Sequence, residues 1–203
     1  PGMASSQNEQ DSRRYAIAAG VTMLEPADSR EAYAMTIEAM HLAEQWSLPV
    51  LLRLTTRVSH SKSVVVRGEP QTGPPVDFTR DIRGRVMVPG NARPAHRRLR
   101  EKLRQVAAWS EAPGCGTRLF PAAGIPALGI IADGVAVSHA REAAPEAAVL
   151  QVRMPHPLPI EAIRQFVHSV ERCMVIEEGD PVLADACRAA GLTVDDKPES
   201  FRF

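Results

Sequence analysis

Apolar residues follow two different periods along this chain, and the changes of period mark its elements. Val21-Thr22-Met23-Leu24 is a short apolar run halted by Pro26, as expected of a buried strand. Asp28-Ser29-Arg30-Glu31 follows as a capping box with Asp28 as the cap, and the helix it opens is expected to reach about Trp46. Tyr33, Ile37 and Met40 fall at i, i+4 and i+7 and are predicted to form its buried stripe, with Ala32, Ala39 and Ala43 keeping it slim. Residues 49–55 are apolar on both faces apart from Arg53, which predicts a parallel strand covered on both sides. Residues 20–56 therefore read as strand, helix, strand in one crossover unit. Upstream, Ser6-Gln7-Asn8-Glu9 matches an S-x-x-E box, and a short helix is expected from there through about Ala18, ended by Gly20.

The pattern weakens between Ser61 and about Val88, where Gly68, Pro70, Gly73, Pro74 and Pro75 suggest a linker. Arg85-Val86-Met87-Val88-Pro89 is expected to be a short strand. Residues 91–110 read as a helix with Leu99, Leu103, Val106 and Ala107 on its apolar side, and 112–126 as a further loop. A second α/β unit then becomes clear. Strands are expected at 127–132, 148–152, 173–176 and 192–194, with helices between them. The helix after Pro159 carries Ile160, Ile163, Val167 and Val170 on one face. Asp180-Pro181 reads as cap and first turn of the last helix, which buries Val182, Leu183, Ala186 and Cys187 and closes at Gly191. This βαβαβαβ order indicates a small parallel sheet with helices on both faces.

Composition narrows the function classes. Lys+Arg and Asp+Glu are each 24, so a bulk charge suited to nucleic acid or a membrane surface is absent. No apolar run approaches the roughly 20 residues that span a bilayer. Cys115, Cys173 and Cys187 form no C-x-x-C pair, which disfavours a disulfide framework, a zinc ribbon or a local iron–sulfur motif, and suits cytoplasmic thiols. The start at Pro1 and the end at Phe203 both read as cuts within a longer protein.

Several clusters carry candidate chemistry beside a plainer reading. The basic helix, with Arg93, Arg97, Arg98, Arg100, Lys102 and Arg104 against Glu101, suits phosphate or a solvated face; without interleaved aromatics the solvated face is preferred. Asp133-Gly134 lies where α/β folds bind ligands, yet reads first as a tight turn. Glu177-Glu178-Gly179-Asp180 gathers three carboxylates, with capping as the simpler role. No metal site is proposed from the His residues. Ser5, Ser6, Gln7 and Asn8, at the start of the first helix, offer amides and hydroxyls to an anionic ligand, or simply cap it. Arg57 and His60, beyond a buried strand, suit either an anion or a cross-link to a neighbouring domain.

The run from Pro1 to Arg13 and the run Leu48-Pro49-Val50-Leu51-Leu52-Arg53-Leu54-Thr55-Thr56-Arg57-Val58-Ser59-His60 together resemble two signatures of the α subunit of indolepyruvate:ferredoxin oxidoreductase, in the 2-oxoacid:ferredoxin oxidoreductase superfamily. Pro155-His156-Pro157-Leu158-Pro159 and Val175-Ile176-Glu177-Glu178-Gly179-Asp180-Pro181 are similar to patterns of the family's second domain. The resemblance is collinear over nearly the whole chain. It implies an α/β fold: the end of a thiamine-diphosphate pyrimidine-binding-type domain over 1–60, a linker with a basic helix over 61–125, and a small parallel-sheet domain like the transketolase C-terminal domain over 126–203.

The resemblance further implies oxidative decarboxylation of indolepyruvate and other aryl pyruvates, with CoA, to an aryl-acetyl-CoA, the electrons passing to ferredoxin. Thiamine diphosphate with Mg2+, [4Fe-4S] clusters and a β subunit would belong to the full enzyme; neither nucleic acid nor membrane is an expected partner. The activating glutamate is expected upstream of Pro1, so no catalytic residue is assigned here. Ser5, Ser6, Gln7 and Asn8 are assigned to cofactor or substrate contact, and Arg57 and His60 to the organisation of the interdomain face. A non-catalytic α/β interaction module, or a related 2-oxoacid:ferredoxin oxidoreductase, is the alternative.

Overall fold

The structure is a computed structural model that describes residues 10–70, 79–122 and 126–198. The first helix, α1 (Ser12–Ala19), starts later than its upstream box implies: Asp11 is its cap, accepting from the Arg13 amide at 3.1 Å. The Ser6–Glu9 box itself lies outside the described residues. Gly20 closes the helix at φ 62°, a left-handed conformation that glycine adopts without a steric penalty. Strand β1 (Thr22–Leu24) follows as expected, then α2 (Ser29–Trp46), whose cap Asp28 accepts from the Glu31 amide at 2.8 Å. The return half of the box differs, because the Glu31 carboxylate reaches the Ala27 amide at 2.9 Å.

The stripe on α2 is one register away from the prediction. Met35 and Leu42 are buried, with Ala39 and Trp46 packed beside them, whereas Tyr33 and Met40 are exposed. Strand β2 (Val50–Leu52) runs parallel to β1, pairing Thr22 with Val50. It is shorter than predicted and is not covered on both sides by the described residues, since Leu51 and Leu54 are exposed. A short helix α3 (Thr56–His60) ends this unit.

The strand expected at Arg85–Pro89 does not form. The Asp81 carboxylate accepts from the Gly84 amide at 2.8 Å and starts a helical turn, α4 (Ile82–Arg85), and Pro89 then opens α5 (Pro89–Ser110) from its first position. Helix α5 is tied to the first unit: Val106 lies in one core with Leu24, Met35, Leu42 and Met154. The loop predicted over 112–126 contains a strand, β3 (Thr117–Phe120), which adds antiparallel to the edge of the second sheet.

That sheet is completed by β4 (Leu128–Asp133), β5 (Ala148–Val152), β6 (Arg172–Ile176) and β7 (Asp195–Asp196). Their order is β3-β5-β4-β6-β7, with every neighbour pair parallel except β3 with β5. Helices α6 (Ala136–Ala143), α7 (Ile160–His168) and α8 (Val182–Ala189) alternate with the strands. Successive β4 residues divide between two cores, Ile131 with α7 and α8, Ile130 and Ala132 with α6, so helices cover both faces. The last strand falls after Leu192 and Val194, which are buried in the core instead.

The two sheets are joined through the backbone after β5. The Met23 amide donates to the His156 carbonyl at 2.7 Å and the Glu25 amide to the Arg153 carbonyl at 2.9 Å. Arg153 also meets Glu38 of α2 at 2.6 Å.

Candidate functional site: a buried seam of charge between the sheets

Four parallel strands, two from each sheet, end on one another. Leu24 is followed by Glu25, Leu52 by Arg53 and Ile176 by Glu177, while Asp133 is itself the last residue of β4; all four charged residues are buried. Apolar strands that terminate in charged residues can bury those charges only by pairing them. Arg13 of α1, 1% exposed, supplies the centre. One guanidinium nitrogen donates to Asp133 at 2.7 Å and to Glu177 at 2.6 Å, while the other end grips Asp11 at 2.5 Å. The same side chain donates to the carbonyls of Glu178 at 3.2 Å and Asp180 at 2.9 Å. Arg53 donates to Glu25 and lies 3.6 Å from Asp11.

The loop after β6 is therefore held from inside by two arginines. At its solvent edge Arg14 pairs with Asp180 at 2.7 Å and Arg57 with Glu178 at 3.3 Å. The capping role read for Asp180 falls instead to Glu177, whose carboxylate accepts from the Leu183 and Ala184 amides at 2.9 and 3.0 Å. Asp180 is free to take Arg14 because the helix starts two residues later, at Val182. Gly134, read as a simple turn, has a further job. At φ 49° a Cβ there would sit 2.5 Å from Glu25 Oε1, so the turn lets the carboxyl approach the backbone.

The charges perturb one another. Burial, opposed by Arg13 and Arg53, competes at Asp11, whose carboxyl ends below its usual value. Burial and the charge of Asp133 push Glu25 up to about 8. Burial also pushes Glu177 up to about 7, against Arg13 and its two amide donors. The surrounding carboxylates raise the Arg13 guanidinium further against its burial, so it remains a cation throughout. As a whole the seam can hold two sheets together, position the loop after β6 and store a proton.

Of the residues assigned from sequence, the structure brings Arg57 to the rim of this seam; His60, on the same short helix, is exposed. Ser5, Ser6, Gln7 and Asn8 lie outside the described residues. The seam residues Arg13, Glu25 and Arg53 were not singled out from sequence as a group. Glu25 and Arg53 carried a signal, as charged residues placed directly after apolar runs; Arg13, in a polar stretch, carried none.

No family model matches the sequence. Among curated proteins the chain is 37% identical over 188 residues to indolepyruvate oxidoreductase subunit IorA of Methanothermobacter thermautotrophicus, covering 90% of this chain and 30% of that protein. It is 33% identical over 198 residues to the subunit of the same name from Archaeoglobus fulgidus, covering 95% of this chain and 31% of that protein. The chain is a homologue of part of IorA. It spans about 30% of the length of the IorA relatives it matches. A solved 2-oxoglutarate:ferredoxin oxidoreductase from Magnetococcus marinus superposes with a TM-score of 0.62 at 16% identity, over 93% of this chain and 41% of that one, and so shares its fold. The sequence-based α/β reading and the resemblance to the oxidoreductase α subunit both hold.

The described residues also bear on the cofactors that the resemblance implies. Among them no group of three or more His, Cys, Asp or Glu could hold a metal ion. Four carboxylates against two guanidiniums make the seam acidic, which does not suit a diphosphate. Burial pushes the Cys173 and Cys187 thiols up to about 12, so they are poor sources of the thiolates that ligate iron–sulfur clusters. Among the described residues no helix is long and apolar enough to cross a membrane.

Proposed function

We propose that this chain forms the junction between two α/β domains, residues 1–60 and 126–203, in a 2-oxoacid:ferredoxin oxidoreductase of the indolepyruvate type. The full enzyme would oxidatively decarboxylate aryl pyruvates with CoA and pass the electrons to ferredoxin, with a β subunit as its partner. The observation that carries this reading is 37% identity to IorA across 90% of the chain. Thiamine diphosphate would supply the electron sink for decarboxylation, and iron–sulfur clusters would carry the electrons away. Among the described residues no group of three or more His, Cys, Asp or Glu could hold the Mg2+, and the acidic seam does not suit the diphosphate, so no catalytic step is assigned to this part.

The contribution of these residues is positional. Arg13 and Arg53 hold the loop after β6 from inside, Arg14 and Arg57 from outside, and Glu177 fixes the start of α8. Asp11, the cap of α1, is part of that grip. Ser5, Ser6, Gln7 and Asn8 shortly precede Asp11 in sequence, and we assign them to cofactor or substrate contact; Arg57 and His60 organise the interdomain face. An enzyme held rigid on both sides of a coenzyme keeps its reacting groups in register.

The test is an assay of the complete two-subunit enzyme that contains this sequence. With thiamine diphosphate, Mg2+ and CoA, indolepyruvate should reduce a ferredoxin acceptor, and 2-oxoglutarate should do so at least about tenfold more slowly. Equal rates would remove the aryl preference. Failure of every 2-oxoacid tested to reduce the acceptor would overturn the reaction class.

A further inference from the structure

We propose that the crevice between the carboxyl ends of β4 and β6 is a guanidinium-binding site, and that Arg13 is its ligand, supplied by the same chain. In the sheet order β3-β5-β4-β6-β7 the chain leaves β4 toward β5 and leaves β6 toward β7. The two connections depart in opposite directions, through α6 on one face of the sheet and α8 on the other. An open α/β sheet binds its ligands at such a switch point, outside the carboxyl ends of the strands. Here β4 and β6 pair up to Ala132 and Ile176, so Asp133 and Glu177 stand side by side just past the last pair. What lies between them is a side chain from the unit that carries the other sheet. One Arg13 nitrogen donates to Asp133 and Glu177 at 2.7 and 2.6 Å, and a second to the carbonyls of Glu178 and Asp180 at 3.2 and 2.9 Å.

All four acceptors belong to the second sheet and its loops, and other contacts place them. Asp133 ends a strand that is paired on both sides. The Leu183 and Ala184 amides aim the Glu177 carboxylate at 2.9 and 3.0 Å, and Lys197 donates to the Glu177 carbonyl at 2.9 Å. Asp133 Oδ1 is buried without a donor, so the site holds an acceptor beyond those that Arg13 uses. Arg13 therefore stands to this sheet as a ligand to a preformed receptor, and Asp11, the cap of the ligand's own helix, closes the site from the opposite side. Shape sets the ligand class. The carboxylates take one nitrogen and the carbonyls another, and a planar guanidinium presents both at once. An ammonium carries its three donors on a single nitrogen and can serve only one of the two pairs. The class is thus the alkylguanidinium ions, the arginine side chain included. The crevice that would take a free ligand in an isolated sheet has become the socket by which one unit holds the other.

The experiment uses the full 203-residue chain carrying Arg13→Gly, unfolded in urea with and without ethylguanidinium chloride. At about 50 mM the added ion should raise the folded-to-unfolded ratio about fivefold or more. Propylammonium chloride at the same concentration should raise it less than about twofold. The parent, whose site is filled by a tethered ligand, should gain less than about twofold from either salt. Equal gains from the two cations, an equal gain in the parent, or no gain in the variant each overturns the proposal. A second measurement needs no variant. In NMR of the parent, the Arg13 guanidinium N–H groups, assigned through their own side chain, should give separate, slowly exchanging signals, unlike the averaged ones of exposed Arg97 and Arg98. Averaged, rapidly exchanging Arg13 signals overturn the proposal whether or not Arg13→Gly folds. The proposal does not rest on the reaction assigned to the full enzyme, and its failure would leave that assignment intact.

Discussion

Arg13 and Arg53 are 1% and 5% exposed, whereas Arg97, Arg98 and Arg100 of α5 lie in solvent. The two regions use the same side chain for opposite purposes. In the seam Arg13 replaces its lost hydration with Asp11, Asp133, Glu177 and the carbonyls of Glu178 and Asp180, while Arg53 engages Glu25 and the Glu178 carbonyl and leaves its Nε without an acceptor. On α5 the pairing that does occur, Arg104 with Glu101 at 2.5 Å, is between exposed groups three residues apart. A buried guanidinium with five acceptors fixes relative positions, while a solvated one mainly adjusts charge. Density of basic residues in sequence is thus a poor guide to where arginine matters. Its place at the end of a buried element is a better one.

The sharpest way to break this comparison is to remove the central cation. Arg13→Ala leaves Asp133, Glu177 and Asp11 facing one another without their shared donor. A loss of about 3–5 kcal/mol is expected, because stranding one half of a buried ion network is more damaging than never having built it. Equilibrium denaturation in urea would measure it, and a loss below about 1 kcal/mol would mean that the seam is not what joins the sheets. Smaller, but still well above an exposed site, is Gly134→Ala. The new Cβ meets Glu25 and must adopt φ 49°, so about 1–3 kcal/mol should be lost. The same substitution at Gly191, at φ 77° with nothing within 4 Å, is the matched control: it carries the backbone strain without the clash and should lose less.

How much of this was legible depends on what kind of signal each residue carries. Asp28 capping α2 and the apolar run of β5 were readable because local chemistry decides them, through one side chain to one amide in the first case and a run of five buried residues in the second. The buried stripe of α2 was not, because an alanine-rich helix offers two overlapping registers and only tertiary packing selects Met35 and Leu42 over Tyr33 and Met40. Strand β3 was hidden for a related reason: it has four residues, its Leu119 is exposed, and its stability comes from pairing with β5, far along the chain. The seam lies between these cases. Arg53 stood out as the one charge in an apolar run, and Glu177 as part of an acidic cluster, but their partners are 28 and 164 residues away in sequence. Asp180 was assigned the cap because it precedes proline, yet the carboxylate at the strand end has the better reach to two amides.

The smallest effect should come from α5. In Arg97→Ala/Arg98→Ala the exposed charge falls by two while every seam contact remains. The expected change is within about 0.5 kcal/mol, because exposed guanidiniums lose little hydration on folding and hold few fixed partners. Helix propensity favours alanine, so a slight gain is as consistent with this view as a slight loss. The contrast becomes decisive when the ionic strength is raised. Salt screens exposed pairs and reaches a buried network poorly, so the gap between the Arg13 variant and the parent should persist from about 0.05 to about 0.5 M salt. If that gap closes with salt while the α5 variant stays unchanged, Arg13 acts as one more surface charge, and the distinction between the two groups of arginines fails.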